Sequence, residues 1–448
     1  MLRITESRKV KRLTRICSFL ILTIALNITS IFANSNVHNS AKTSPQMTKQ
    51  QVHSSVKETL KLLNEVYIYP DKAKKVSNTI SGYLADGKYD DIKDKFEFSR
   101  KLSNDLQQIS GDGHLGLQVA RSASQKPTHI LRPTIGKQKN NYAFERVEVL
   151  DGNIGYLKFN KFNHLDEAQN VASLALQFLQ STDALIIDLR ENIGGSPKLL
   201  TYMLSHFFNE ETLLWEILDR NNEVVRSANT RPELSNKRFS SDFPIYILTS
   251  KETYSAAEYF AYTLKHFGKA TIIGNHSGGG AHMVMSNKIN DLFHGRFSQA
   301  RPVNPITQSD WEGVGVKPDV KTPQNKALET AYIDALENLT VKYPEDKYTY
   351  QWRADSLKAK TTDVTIPVKK LESYVGLYGE RELSIINGEL YYQLKGREKY
   401  KLKALSEDLF MLPNLDYYRV KIIEENGKAV ALMGLCDDGR STKYTKTS

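Results

Sequence analysis

The feature that most constrains the fold is the alternation of segment types between residues 153 and 341. Short apolar runs typical of buried strands, such as those at 184–189 and 244–249, alternate with segments of helical periodicity. Strands separated by helices of about 10–15 residues indicate βαβ units and a largely parallel sheet. We therefore predict an α/β core, to which we assign residues 118–343.

A helical pattern precedes this core. Val56, Leu60, Leu63 and Val66 recur at helical spacing, and two further apolar-periodic stretches follow before the turn at 111–114. These patterns predict an N-terminal helical domain over residues 51–117.

The pattern changes again after the core. Residues 344–367 are charged and poor in aliphatic side chains, which is typical of a linker. Beyond them, Asn387-Gly388 and Asn426-Gly427 each separate two alternating runs, and such a pair is a strong hairpin signal. Residues 368–448 are predicted to form a small antiparallel β domain.

The N-terminus has the order of a secretory signal. A basic stretch precedes an apolar run at 17–33, and a polar segment follows. We predict a signal peptide over residues 1–33, then a flexible tail over 34–50, and export to the periplasm or the extracellular space. An uncleaved membrane anchor is the alternative, and it would be the chain's only membrane contact.

Composition excludes several function classes. The 448 residues include 61 basic and 51 acidic ones, a net charge of +10 with no clustered basic stripe, so we expect no nucleic-acid partner. Only Cys436 follows the signal, and no zinc-binding spacing of cysteine or histidine is present. We expect neither a metal nor an organic cofactor.

Ser255 is the first candidate for chemistry. It follows a predicted strand and opens a predicted helix, where unpaired N–H groups and the helix dipole favour an anionic nucleophile. Ser255 and Glu258 also match a capping box, which needs no catalytic function.

A second candidate is the turn that contains Gly194 and Gly195, after the buried strand at 184–189. Paired glycines allow backbone N–H groups to approach a ligand closely, and such a turn can supply an oxyanion donor. It also fits an ordinary loop between a strand and a helix. His114 and Glu312 lie in loops and, taken singly, fit solvated polar residues.

Taken together, these stretches resemble a known family. GDGHL, DLRENIGG, the segment from Thr249 to His282, and WEGVGVKPD occur in the order found in C-terminal processing (tail-specific) serine peptidases. The resemblance covers about residues 50–335 and is greatest to the branch of tricorn protease and interphotoreceptor retinoid-binding protein. It implies a crotonase-like (ClpP-like) core preceded by a helical domain.

The resemblance also implies residue roles. Ser255 matches the nucleophile, His114 the general base and Glu312 the acid that completes the site. The N–H groups of Ala256 and of Gly194 or Gly195 match the oxyanion donors.

The chain departs from the family pattern in two places. The lysine of the Ser–Lys dyad is absent from the turn at 277–282, which favours His114 as the base, with His282 as an auxiliary or rival base and His276 as a weaker one. About 35 residues separate His114 from the strand at 153, too few for the inserted PDZ domain of relatives, which needs about 80–100.

The resemblance therefore implies an exported serine peptidase that acts on peptides or unfolded proteins, with a homo-oligomer as one possible state. The alternative is a non-catalytic lipid- or retinoid-type binding protein on the same fold. Residues 368–448 resemble the lipocalin-like β domains of some exported hydrolases, and we interpret them as a structural cap rather than a separate ligand site.

Overall fold

The computed structural model describes residues 46–120 and 140–447. The predicted signal peptide and the first part of the predicted tail lie outside these residues. The helices α1 to α9 are Lys49–Val66, Pro70–Ala85, Lys95–Ser110, Glu167–Phe178, Pro197–Leu204, Ala256–His266, Ala327–Lys342, Lys347–Thr361 and Val368–Tyr374. Among the described residues, no helix combines the length and apolar character needed to cross a bilayer.

Twenty strands are described. Strands β1 to β11 are Gly116–Val119, Phe144–Leu150, Ile154–Phe159, Ala184–Asp188, Leu213–Leu218, Val224–Asn229, Ile245–Thr249, Thr271–Gly274, Met283–Lys288, Phe293–Val303 and Val320–Lys321. Strands β12 to β20 are Gly376–Tyr378, Arg381–Ile386, Glu389–Leu394, Lys399–Lys401, Lys403–Ala404, Leu409–Met411, Tyr418–Glu425, Lys428–Cys436 and Ser441–Thr445.

The centre of the molecule is a six-stranded sheet in the order β11-β8-β7-β4-β3-β2. All pairs are parallel except β2 with β3. In β4, Leu185 and Ile187 pack with helices α4 to α6, whereas Ile186 packs with α7 on the opposite face. Because both faces are covered, β4 and β7 are mainly apolar and buried up to their last residues, Asp188 and Thr249, as is typical of parallel central strands. Since β4 and β7 are adjacent and parallel, the turns after their carboxyl ends lie at the same edge of the sheet.

The N-terminal helices pack against a second, antiparallel sheet. Its strands follow the order β1-β10-β5-β6, with β9 also paired to β10. Phe293 and Phe297 of β10 share a hydrophobic core with α1 to α3. Helix α1 begins at Lys49, capped by Thr48, so the predicted tail boundary at residue 50 falls inside a helix. Helix α3 ends at Ser110, and its C-cap Gly111, with a φ of 72°, closes the helix and turns the chain toward His114.

The segment predicted as a linker contains helix α8. Tyr350 and Ala354 of this helix join the core formed by α7 and the central sheet. On its other side, Trp352 donates to the Asp416 carbonyl at 2.8 Å. The low content of aliphatic side chains wrongly indicated a linker, because aromatic and alanine side chains make the packing contacts of this helix.

The C-terminal region is antiparallel, as the hairpin signals predict. A four-stranded and a five-stranded sheet enclose one core that includes Tyr378, Leu390, Phe410 and Leu432. Both Asn-Gly pairs form the turns of their hairpins with positive φ angles, which this turn type requires.

Candidate active site

Ser255 occupies a strained backbone position at the start of α6. Its φ of 55° and ψ of −121° are rarely adopted by a residue with a side chain. The Ser255 N–H donates to Glu258 Oε2 at 2.8 Å, which holds this conformation in place. Strain of this kind is often found where a side chain must be presented to a ligand.

Glu258 is the centre of the local hydrogen-bond network. Its fully buried carboxylate accepts from the Ser277 hydroxyl and the Gly279 N–H, each at 2.6 Å, and from the Gly280 N–H at 2.8 Å, in addition to Ser255. Burial raises the pKa of Glu258, and the hydrogen bonds it accepts oppose that rise. One carboxylate therefore links the Ser255 turn to the glycine-rich turn at 277–282.

The glycine turn after β4 packs directly against Ser255. A Cβ at Gly194, where φ is 86°, would lie 2.7 Å from the Ser255 Cβ and from the Ala256 nitrogen. The Asn192 side chain holds this turn by donating to the Phe159 carbonyl at 2.8 Å and accepting from the Gly194 N–H at 2.9 Å. The Gly194 N–H is therefore already engaged within the protein.

Gly195 and Ala256 differ from Gly194 in this respect. Neither backbone N–H has a hydrogen-bond acceptor among the described residues, and both residues line the same cavity as Ser255. Ala256 is the first residue of α6, where an N–H has no intrahelical partner. Two unengaged donors beside one hydroxyl form an arrangement able to bind an oxyanion.

His114 lines the cavity from the side of the helical region. Its ring is buried, and its Nδ1 has no hydrogen-bond partner among the described residues, lying 3.7 Å from Asp112 Oδ1. The Asp112 carboxylate also accepts from the His114 backbone N–H at 2.8 Å. Burial lowers the pKa of His114 to about 4, so the ring is neutral at neutral pH and is able to accept a proton.

His282 also lines the cavity, but both of its ring nitrogens face protein groups. Nδ1 lies 3.4 Å from Asp112 Oδ2 and 3.4 Å from Glu312 Oε2, and Nε2 lies 3.4 Å from the Tyr69 hydroxyl. The His282 ring is thus less available than the His114 ring to a substrate or to Ser255.

Glu312 is positioned by the glycine-rich turn. Its Oε2 accepts from the N–H groups of Ala281 at 2.7 Å and His282 at 3.0 Å. Burial raises the pKa of Glu312 to about 7. Among the described contacts, Glu312 pairs with His282 and not with His114, whereas Asp112 lies against both histidines.

The cavity has a volume of about 460 Å³. The predicted residues Ser255, His114, Gly195, Ala256 and His282 line it, with Gly194 and Glu312 in contact with lining residues. No lysine is among its described lining residues, and its wall is largely apolar, including Trp215, Tyr259, Met283 and Trp311.

Sequence reasoning missed Asp112 and the cavity wall. Asp112 lies two residues before His114 in the GDGHL stretch, so its proximity in sequence was an available signal. Trp215 and Met283 carried no such signal, because their strands reach the site only through the antiparallel sheet.

Comparisons with known proteins assign the chain to a family. The profile of peptidase family S41 matches residues 153–322, and that of the N-terminal domain of S41 peptidases in eukaryotic IRBP matches residues 45–149. The chain belongs to peptidase family S41. The two matched regions contain Ser255 and both turns beside it, as well as His114.

Two curated relatives illustrate this S41 similarity. The chain is 25% identical to a CtpA-like serine protease of Staphylococcus epidermidis, over 48% of this chain and 42% of the relative. It is 23% identical to the carboxyl-terminal-processing protease of Picosynechococcus, over 47% of this chain and 48% of the relative. The chain therefore spans less than half the length of these relatives.

Among solved structures, the photosystem II D1 C-terminal processing protease matches with a TM-score of 0.41 and 15% identity, over 61% of this chain and 93% of that chain.

Proposed function

We propose that this S41 family member is a serine peptidase that hydrolyses peptide bonds through Ser255. The observation that carries the proposal is the presence of a strained serine, a neutral unengaged histidine and two unengaged N–H groups around one cavity. These are the parts that acyl transfer requires: a nucleophile, a base and an oxyanion site.

The proposed reaction has two stages. The Ser255 Oγ attacks the peptide carbonyl while its proton passes to the His114 ring, and the N–H groups of Gly195 and Ala256 bind the resulting oxyanion. The C–N bond then breaks as His114 returns the proton to the leaving amine. Water, deprotonated by His114, hydrolyses the acyl ester in the second stage and regenerates Ser255.

We assign the supporting role of the acidic member of the catalytic set to two residues. Asp112 lies against His114 and stabilises the imidazolium that forms during each stage. Glu312 acts through its contact with His282 and through the backbone of the glycine-rich turn. This differs from the arrangement implied by the family resemblance, in which Glu312 completes the site with His114.

We propose Gly195, rather than Gly194, as the second oxyanion donor. The Gly194 N–H already donates to the Asn192 side chain, whereas Gly195 lines the cavity. Loss of one such donor typically slows turnover by about 10²–10³-fold.

The wider setting of the activity is also part of the proposal. We propose that the described core has the crotonase-like arrangement, that the protein is exported, and that its substrates are peptides or unfolded proteins held by the cavity itself. The C-terminal β region would act as a structural cap.

The test is peptide hydrolysis by purified variants. Ser255→Ala should abolish hydrolysis without unfolding, and an activated phosphonate should label Ser255. Ser286→Ala is the matched control, because Ser286 is exposed on β9 and should retain wild-type turnover. Full turnover by Ser255→Ala, or a phosphonate adduct on another residue, would refute the assignment.

The same hydrolysis assay distinguishes the roles of His114 and His282. His114→Ala should lose about 10²–10⁴-fold in turnover, the usual contribution of a general base. A larger loss in His282→Ala would make His282 the base. Co-purification of a lipid, with no hydrolysis across a peptide library, would instead support the binding-protein alternative.

A further inference from the structure

Behind the catalytic residues lies a group of three side chains that hydrolysis does not fully explain. The Asp112–His282–Glu312 cluster presents one oxygen or nitrogen atom from each residue, all within 4.8 Å of one another. The three side chains are only 2%, 0% and 9% exposed. Two carboxyl groups surround a single imidazole, and imidazole and carboxylate groups are ligands that divalent transition metals take in proteins.

The contacts within the cluster are longer than typical charge-assisted hydrogen bonds. His282 Nδ1 lies 3.4 Å from an oxygen of each carboxylate, whereas charge-assisted N–H···O bonds are about 2.7–2.9 Å long. Four ligands around Zn²⁺ lie about 2.0–2.2 Å from the metal, which separates neighbouring ligand atoms by about 3.3–3.6 Å. The two nitrogen–oxygen distances therefore match two edges of a zinc coordination tetrahedron.

Residues outside the cluster contact its side chains and orient them, as is common in metal sites. The Tyr69 hydroxyl faces His282 Nε2 at 3.4 Å, which leaves Nδ1 directed at the carboxylates. The Tyr67 hydroxyl donates to Asp112 Oδ2 at 3.1 Å. A histidine ligand usually makes such a second contact through its other ring nitrogen.

An independent observation concerns the second oxygen of the Glu312 carboxylate. Glu312 Oε1 is buried and has no hydrogen-bond partner among the described residues, although the other oxygen of this carboxylate accepts two backbone N–H groups. The Glu312 side chain is more than nine-tenths buried. A buried carboxylate oxygen without a partner is costly, and a cation at the cluster would satisfy it.

We infer that the Asp112–His282–Glu312 cluster binds a divalent transition metal of the Zn²⁺ type, and that the bound metal inhibits the peptidase. The inhibitory part rests on the proposed function. One imidazole and two carboxylates suit Zn²⁺, whereas Ca²⁺ and Mg²⁺ require about six oxygen ligands. Of the three residues, His282 also lines the cavity that contains Ser255.

Inhibition follows from the position of Asp112. Its carboxylate lies against both His114 and His282, and it also accepts from the His114 backbone N–H at 2.8 Å. A metal that takes this carboxylate as a ligand removes the partner that we assign to His114.

Binding is tested first in a protein that has no activity to lose. The Ser255→Ala protein is stripped with EDTA, dialysed and titrated with ZnCl₂ by isothermal titration calorimetry. We expect one tight site, no comparable binding of MgCl₂, and at least 100-fold weaker Zn²⁺ binding after the further change His282→Ala. His276→Ala is the matched control, because His276 is an exposed histidine of the same segment and its loss should leave this site unchanged.

Two results would overturn the site: no Zn²⁺ binding to the Ser255→Ala protein, or binding that His282→Ala leaves intact. If His282→Ala does not fold, Glu312→Gln takes its place. The glutamine amide still accepts from the backbone N–H groups but lacks the charge, so Zn²⁺ binding should weaken by at least 10-fold.

Inhibition is tested separately with the active protein. Zn²⁺ should suppress peptide hydrolysis over the concentration range in which it binds, and EDTA should restore it. Binding without inhibition would refute the regulatory part of the inference. A metal-free protein that hydrolyses no peptide would refute the proposed function, while the calorimetric result would still decide the metal site.

Discussion

Replacement of Glu258 by glutamine tests how the nucleophile is held. The carboxylate accepts four hydrogen bonds, two at each oxygen, from Ser255, Ser277, Gly279 and Gly280. Glutamine offers only one acceptor oxygen. Its NH₂ group is best placed toward Ser277 and Gly279, because the Ser277 hydroxyl can reverse its role whereas the Gly279 N–H cannot.

The magnitude follows from these contacts. One buried N–H without an acceptor costs about 1–3 kcal/mol, and the loss of charge weakens the two remaining backbone bonds by about 1 kcal/mol each. Glutamine avoids the cost of burying a charge, the effect that raises the pKa of Glu258, and this offsets part of the loss. We expect Glu258→Gln to lower the free energy of unfolding by about 2–4 kcal/mol.

Two measurements check this expectation. Urea unfolding followed by tryptophan fluorescence gives the free energy of unfolding, since Trp215 and Trp311 both line the cavity. Peptide turnover should fall at least 10-fold, because the bond that holds the strained backbone of Ser255 weakens and the Gly279 N–H loses its acceptor. Glu252→Gln is the control: Glu252 is exposed in the same turn and should change stability by less than about 0.5 kcal/mol. A loss under about 1 kcal/mol in Glu258→Gln, with normal turnover, would refute the reasoning.

Three further changes test other parts of the structure. Gly194→Ala should reduce turnover about 10²-fold and destabilise the protein by about 2–4 kcal/mol, because the added Cβ would lie 2.7 Å from backbone atoms of Tyr254 and Ala256. His206→Gln should flatten the dependence of stability on pH between about 6.5 and 4. Burial lowers the pKa of His206 to about 4, so only the unfolded chain gains the proton there and the wild type loses about 3 kcal/mol as pH falls through this range. Arg419→Ala should lower stability by about 2–3 kcal/mol, because the buried guanidinium stacks 3.8 Å from the Trp352 ring and joins α8 to the C-terminal sheets. Turnover should not change, since Arg419 is not among the described residues that line the cavity.

Each of these changes has a matched control. Gly268 has a φ of 65°, but a Cβ added there would meet no other atom within 4 Å, so Gly268→Ala should cost only about 1 kcal/mol and leave turnover intact. His276→Gln is the control for His206→Gln, and Arg440→Ala is the control for Arg419→Ala, because both residues are exposed. Neither replacement should alter the dependence of stability on pH or the free energy of unfolding. Equal effects in a variant and its control would contradict the corresponding argument.

Much of the fold could be predicted from local sequence. The apolar runs of β4 and β7 and the Asn-Gly turns of the C-terminal hairpins are read correctly because their causes are local: burial on both faces of a sheet, and positive φ angles. The linker prediction failed for the opposite reason. Helix α8 is held by long-range contacts of Tyr350, Trp352 and Ala354, which its composition does not reveal.

The same distinction between local causes and long-range contacts applies to the candidate site. Ser255 and the paired glycines Gly194 and Gly195 could be proposed from sequence, because turns between a strand and a helix present such groups. The role of Ala256 and the choice of oxyanion donors came from the family resemblance. Local sequence could not decide that Gly194 is engaged by Asn192, nor that Glu312 pairs with His282 while Asp112 lies between the two histidines. Residues 112, 282 and 312 come from three separate loops, and no spacing rule connects them. The sequence alone thus determined which groups the protein carries and the turns that present them. Only the tertiary structure decided which groups face one another, because that depends on packing between elements distant in the chain.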